Sequence, residues 1–378
     1  MDIDKIDTTD SIDTTHNTDD RNILSLDATY MAQKQLGRRT FLTSAAAVAG
    51  GVFLAACGGQ SSSSSSTGSS GSGSGSGSKK FTLALVQGVK GDPFYVTMQK
   101  GAQAMADKLG ATLTVDGPAQ FDATLQAPIV DALVAKKVDA IIIAACDKQA
   151  MIAPLQRAND AGIKIISVDT YLGDGDYANG PVKFPLSYIG SDNVQGGKIA
   201  GEALIKAIGN KGAIYIQNVK PGISTTDQRQ QGCKEAIDAT NGAVTLASVD
   251  YNNDSSANAA QQTSAVLQRG KPIAGIFGTN LFGAEGAAQA VKNANKQGSV
   301  KIANFDAPVQ AITDLKNGVV DIVIAQKPAD MGSMAVQYAV DALNGKTTDI
   351  KKRVPTGYVV ITKENVNSTE AQNAVYKS

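Results

Sequence analysis

The chain has 378 residues with 35 basic and 35 acidic side chains, a balance that argues against a nucleic-acid partner held by phosphate neutralisation. Its one histidine, His16, lies in a polar leader, and three cysteines cannot build a disulfide framework, so a histidine-dependent hydrolase and a zinc enzyme are both disfavoured. Hydrophobic residues at 42% and charged residues at 19% still fit a globular protein with a core.

In chain order, residues 1–36 are polar and show no apolar periodicity. Gly37-Arg38-Arg39-Thr40-Phe41-Leu42 follows, then a short apolar run from Ala45 to Ala56. The run falls short of the ~20 apolar residues that span a bilayer. Paired arginines ahead of such a run resemble a twin-arginine export signal. Its end, Leu54-Ala55-Ala56-Cys57, resembles the lipobox of bacterial lipoproteins, in which the cysteine is lipidated. Residues 1–56 therefore read as a signal, and 57–78 as a lipidated Cys57 followed by a glycine-serine tether. A Gly/Ser chain of that length behaves as a coil about 25 Å across, which would hold a folded part near a membrane. The expected location is exported, membrane-anchored, facing the periplasm or the cell exterior.

Beyond residue 78, 300 residues remain, enough for two domains of ordinary size. Short apolar runs at 81–87, 138–144, 163–168, 212–217, 273–277, 300–305 and 320–325 lack polar alternation, as strands buried on both faces of a parallel sheet do. Between them lie helical spacings at 93–109, 122–136, 148–161, 192–209, 224–240, 254–269, 280–296, 307–317 and 328–344, with Asp122, Asp254 and Asn280 as N-cap candidates. The alternation predicts an α/β fold with two doubly wound parallel-sheet lobes.

In such sheets a ligand binds beyond the carboxyl ends of the strands. Asp92, Phe94, Tyr95, Asp169, Asp306 and Gln326 lie just past strand ends, and Arg229 and Asn280 lie near helix starts. Carboxylates and amides pair with vicinal hydroxyls, a guanidinium donates a fixed fork of hydrogen bonds, and aromatic faces cover the C–H surface of a sugar ring. Each residue also has a plainer reading. Asp306 and Asn280 could be helix caps, Asp169 a turn residue, Arg229 a solvated helix charge, and Phe94 and Tyr95 core. Asp254 is a further candidate for the cleft.

Residues 80–362 resemble the periplasmic sugar-binding proteins of the ribose-binding type that serve ATP-driven importers. The resemblance rests on Asp92-Pro93-Phe94-Tyr95, on Ile189-Gly190-Ser191-Asp192-Asn193-Val194-Gln195-Gly196-Gly197-Lys198, on Asn304-Phe305-Asp306 and on Ala325-Gln326. It implies a type I binding protein with crossings between lobes near 191, 326 and 355. The lobes would comprise 79–191 plus 327–355 and 192–326 plus 356–378. It also implies a cleft lined by the residues above, a sugar or polyol ligand, and an importer permease as partner for a monomeric, membrane-anchored binder.

Two departures stand out. Ribose binders carry arginine after the Asp169 position, where this chain has Thr170, and the first-loop asparagine is replaced by Asp92. Both argue against ribose itself. A long loop, Tyr171 to Leu186, is a candidate cover for the cleft. Val115-Asp116-Gly117-Pro118 and Thr226-Asp227-Gln228 resemble the autoinducer- and rhamnose-binding branch, which would add Asp227 and Gln228 to the site.

The rival readings are a sugar sensor for a receptor, a glycosidase using Asp92 and Asp169, and a sugar-responsive regulator. The second lacks any hydrolase motif, and the third is at odds with an export signal. No metal or cofactor is expected, and Cys146 and Cys233 read as small buried residues.

Overall fold

The computed structural model describes residues 80–270 and 272–376. The export signal, Cys57 and the tether lie outside the described residues. The first sheet opens with β1 (Thr82–Val86), α1 (Pro93–Leu109), β2 (Thr112–Asp116), α2 (Ala123–Lys136), β3 (Ala140–Ile143), α3 (Ile152–Asp160), β4 (Lys164–Val168) and β5 (Tyr188–Ser191). The chain then enters a second set: α4 (Asn193–Ala207), β6 (Gly212–Asn218), α5 (Ser224–Asp238), β7 (Val244–Tyr251), α6 (Ser256–Gln268), β8 (Gly275–Gly278), α7 (Leu281–Asn293), β9 (Lys301–Phe305), α8 (Val309–Asn317) and β10 (Ile322–Ala325). It closes with α9 (Pro328–Leu343), β11 (Arg353–Thr356), β12 (Val359–Ile361) and α10 (Thr369–Asn373).

The strand orders are β11-β5-β4-β3-β1-β2 and β12-β10-β9-β8-β6-β7. Every pairing is parallel except β10 with β12. In each sheet the strand order reverses direction once, between β1 and β3 and between β6 and β8. Such a switch point leaves a crevice at the carboxyl ends, where ligands bind in open α/β sheets. Central strands such as β3 (Ala-Ile-Ile-Ile) and β10 (Ile-Val-Ile-Ala) are buried on both faces, which is why they read as unbroken apolar runs.

The chain passes between the sheets after Ser191, after Ala325 and after Thr356. Side chains tie these three passages together. The Ser191 hydroxyl donates to Gln326 Oε1 at 2.8 Å and lies 3.3 Å from the Thr356 hydroxyl.

Local chemistry sets the helix starts. Asp122 and Asn280 are caps as expected, accepting from Thr124 N and Gly283 N. Asp254 is not a cap: α6 begins one turn position later, and Ser255 accepts from Asn258 N instead. Asp92 caps α1 through Phe94 N, with Pro93 at the first helical position. Helices α4 and α5 approach so closely that a Cβ on Gly197 would strike the Arg229 carbonyl and one on Gly232 would strike the Val194 carbonyl.

Candidate functional site

Between the two sheets lies a small cavity, about 420 Å³ of atom-free space with its open mouth included. Asp92, Phe94, Tyr95, Asp169, Arg229, Asn280, Asp306 and Gln326 all line it, and so does Asp254. They arrive from separate elements: the loop after β1, the end of β4, the first turns of α5, and the ends of β8, β9 and β10.

Each side chain is held. Tyr95 Oη donates to Asp169 Oδ2 at 2.9 Å, and Tyr188 Oη donates to the Asp169 carbonyl at 2.9 Å. Asn280 Nδ2 donates to Asp254 Oδ1 at 2.7 Å while Asn280 Oδ1 caps α7, so the residue is both a helix cap and part of the cavity lining. Asp306 caps nothing: α8 starts at Val309, and the carboxylate instead accepts from Gln326 Nε2 at 2.8 Å and from Tyr376 Oη at 3.0 Å. Asp169, Asp254 and Asp306 all adopt positive φ, at 61°, 61° and 81°, a strained backbone for non-glycine residues that turns three carboxylates off their elements.

Arg229 is only 2% exposed, so it is no solvated helix charge. Its Nε donates to Asn193 Oδ1 and its Nη1 to the Thr279 carbonyl, both at 2.9 Å. The guanidinium lies 3.9 Å above the Phe305 ring, which fixes its plane and leaves Nη2 without a protein partner among the described residues. Phe94 and Tyr95 meet edge to face at 5.1 Å, and Phe94 meets Tyr376 at 5.8 Å.

Four carboxylates share the cavity with one guanidinium. Burial pushes Asp169 up to about 6, against the pull of Arg229 and the Tyr95 hydroxyl. Burial likewise takes Asp254 to about 6 despite its Asn280 bond. Asp92 is raised well above the usual carboxylate range by burial and then by the charge of Asp306. Such carboxylates need hydrogen-bond donors more than they need further charge, and vicinal hydroxyls supply them.

Asp227 and Gln228 do not line the cavity. Asp227 Oδ2 accepts from Gly222 N at 2.9 Å at the start of its own helix, and Gln228 Nε2 donates to Tyr171 Oη at 3.2 Å. The helix repeat explains it. Residues three and four positions before Arg229 share its face, so Thr226 and Thr225 line the cavity while Gln228 and Asp227 turn away. That spacing was readable in the sequence. Phe121, Val219 and Ile223 complete the lining, and nothing in their local pattern sets them apart from core.

The two sheets' loops touch across the cavity mouth. Lys220 Nζ donates to the Phe121 carbonyl at 2.9 Å, and Tyr171 N donates to Ser224 Oγ at 3.3 Å. Of the long loop after Thr170, Tyr171 makes the second of these contacts, and it is buried with Leu172, Tyr177 and Val182 in the core beneath the first sheet. Thr170 points away as well, its hydroxyl donating to the Ala145 carbonyl at 2.8 Å. Cys146 and Cys233 are both unpaired and buried, and burial pushes the Cys233 thiol up to about 12. Among the described residues no cluster of His, Cys, Asp and Glu could hold a metal ion, and no helix is long and apolar enough to cross a membrane.

The periplasmic binding protein domain family matches residues 83–347. The ribose import binding protein of Haemophilus influenzae is 31% identical over 286 residues, 75% of this chain and 92% of that protein. The Bacillus subtilis ribose import binding protein is 28% identical, covering 71% of this chain and 83% of that one. Among solved structures, a transporter solute-binding protein from Agrobacterium vitis bound to α-D-tagatopyranose is 44% identical with a TM-score of 0.77, covering 79% of this chain and all of that one. A counterpart from Actinobacillus succinogenes with bound D-allose is 29% identical with a TM-score of 0.70, covering 78% of this chain and all of that one.

Proposed function

The chain belongs to the periplasmic binding protein family, in the company of ribose import binding proteins, and from that premise we propose that it captures a monosaccharide or polyol in the cavity by hinge closure and delivers it to a membrane permease. It is an extracytoplasmic solute-binding protein of sugar transport and not an enzyme. The observation that carries the finer reading is the cavity itself. Four carboxylates, two amides, one fixed guanidinium and an edge-to-face pair of aromatic rings converge there from both sheets.

In this reading Asp92, Asp169, Asp254 and Asp306 accept from ligand hydroxyls. Asn280 and Gln326 use amide groups, Arg229 donates through Nη2, and Phe94 and Tyr95 cover the ring. The moving bodies would be 79–191 with 327–356 and 192–326 with 357–378, one residue beyond the boundary expected at 355 because Thr356 pairs with Ser191 in the first sheet, turning about passages tied by Ser191, Gln326 and Thr356. Specificity arises because a wrong sugar leaves buried polar groups unpaired. Thr170 in place of a second arginine takes one donor out of the cavity and favours a cargo other than ribose.

A thermal-shift screen of the purified chain against D-tagatose, D-allose, D-fucose and D-ribose, with pentitols and hexitols beside them, tests this reading. A ligand at a thousand times its dissociation constant adds about 4.1 kcal/mol of stability. For a protein of this size that is a rise in midpoint of roughly 8–16 °C. One compound with such a rise is the expected result, and a flat screen on folded protein removes the sugar assignment.

The paired arginines and the Leu54-Ala55-Ala56-Cys57 sequence support export followed by lipidation of Cys57. A tethered binder is held at raised effective concentration beside its permease. Cys57→Ser protein should leave the membrane fraction for the soluble one, and unchanged partitioning would rule the anchor out.

A further inference from the structure

The first turn of α5 faces the cavity with Ile223, Thr225, Thr226 and Arg229. Ile223, at the cap position, has no side chain that could satisfy the N–H groups of that turn, so the helix presents its partly positive end to the cavity. Thr226 is 3% exposed, and its Oγ1 is buried without any hydrogen-bond partner among the described residues. Of the four buried side-chain atoms left unpartnered there (on Thr97, Ser187, Thr226 and Gln228), Thr226 Oγ1 alone belongs to a residue lining the cavity. The neighbouring site residues are each held by a partner: Asp169 by Tyr95, Asn280 by Gly283 N, Asp306 by Gln326 and Arg229 by Asn193.

A buried hydroxyl without a partner costs stability in the empty protein, so its persistence at a ligand cavity calls for a partner outside the chain. A carboxylate only accepts and a guanidinium only donates, whereas a threonine hydroxyl does both. It therefore pairs best with another hydroxyl, which can accept from Thr226 and donate a hydrogen bond to a nearby carboxylate.

We propose that Thr226 determines specificity by hydrogen-bonding one ring hydroxyl of the bound sugar, so that the cavity selects against analogues lacking that hydroxyl. The proposal rests on the cavity being the sugar site. It assigns to Thr226 the role that sequence similarity suggested for its neighbours Asp227 and Gln228.

The test is calorimetry on the full-length wild type, Thr226→Val and Thr226→Ser, using whichever sugar of the screening panel binds wild type most tightly, together with its monodeoxy forms. Thr226→Val should weaken the parent sugar about tenfold, the effect of one lost hydrogen bond. Its ligand-free melting midpoint should stay level or rise, because an unpartnered polar atom has been removed. Thr226→Ser should return affinity to within about threefold of wild type. One monodeoxy form should bind wild type and Thr226→Val equally, which identifies the hydroxyl concerned.

If Thr226→Val binds the parent sugar as wild type does, the proposal is overturned while the sugar reading stands. A loss of affinity that comes with a lowered ligand-free midpoint and no rescue by serine makes Thr226 a packing residue and overturns it too. If wild type binds none of the panel, the sugar reading fails and takes the Thr226 assignment with it.

Discussion

Asp169 shows most clearly how this cavity works at the scale of one residue. Its carboxyl group is 6% exposed, braced by Tyr95, and held at about 6 rather than near its ordinary 3.8. A carboxylate whose folded value is raised stabilises the fold below its unfolded value, and that contribution is lost as pH rises through the folded one. The window is therefore about pH 4 to 6, and the magnitude is on the order of 3 kcal/mol. Asp169→Asn keeps an acceptor for Tyr95 and removes the charge. Ligand-free Asp169→Asn should melt above wild type at pH 7.5, and the gap should shrink through pH 5 and nearly close by pH 4, as melting curves across that range would show. Sugar affinity of the wild type should move the opposite way, falling as Asp169 and Asp254 take up protons. A melting gap independent of pH would mean that the Asp169 carboxyl is not raised in the folded protein.

Much of the cavity was legible in the sequence, because residues just past a strand end must face the crevice of a parallel sheet. Asp306 and Asp254 were less so. Both looked like caps, and only the positive φ at each, together with the start of the next helix two or three residues later, shows that they line the cavity instead. Thr226 could have been found by counting one helical turn back from Arg229.

Elements were recovered where burial was two-sided. The edge strands β2 and β7 escaped the sequence reading because they are only half buried: a run such as Thr-Leu-Thr-Val-Asp alternates polar with apolar and carries no unbroken apolar stretch. The short strands β5, β11 and β12 are defined by their pairing to distant strands, which no local pattern carries. The end of the chain is the main surprise. Beyond α10, Tyr376 bridges to Pro308, accepts from Gln326 N at 2.9 Å and donates to Asp306, while its ring meets Phe94. One tyrosine thus braces the β9 end, a passage between the sheets and the aromatic loop of the first sheet. Tyr376→Phe removes a hydroxyl from this cluster and leaves Gln326 N without its acceptor. It should lower the melting midpoint by about 2–6 °C, from about 1–1.5 kcal/mol, and weaken sugar binding several-fold by freeing Asp306. Unchanged affinity by calorimetry would show that Asp306 needs no such brace.

At the scale of the molecule, the cavity draws its lining from both sheets, so the proposed capture needs the two sheets to face each other across it. Lys220 on Phe121, Tyr171 on Ser224 and Gln228 on Tyr171 are the contacts that hold the mouth together in this closed arrangement. They are few and polar, and each is replaceable by water. In the proposed capture by closure, the balance between open and closed forms would therefore rest on the ligand, which would engage the buried carboxylates of both sides. Small-angle scattering on residues 79–378, which contain both sheets and their cores, measures that balance most directly. The account predicts a radius of gyration that falls when the tightest-binding sugar of the panel is added and returns when it is dialysed away. A radius that is the same with and without a sugar shown to bind would contradict capture by closure.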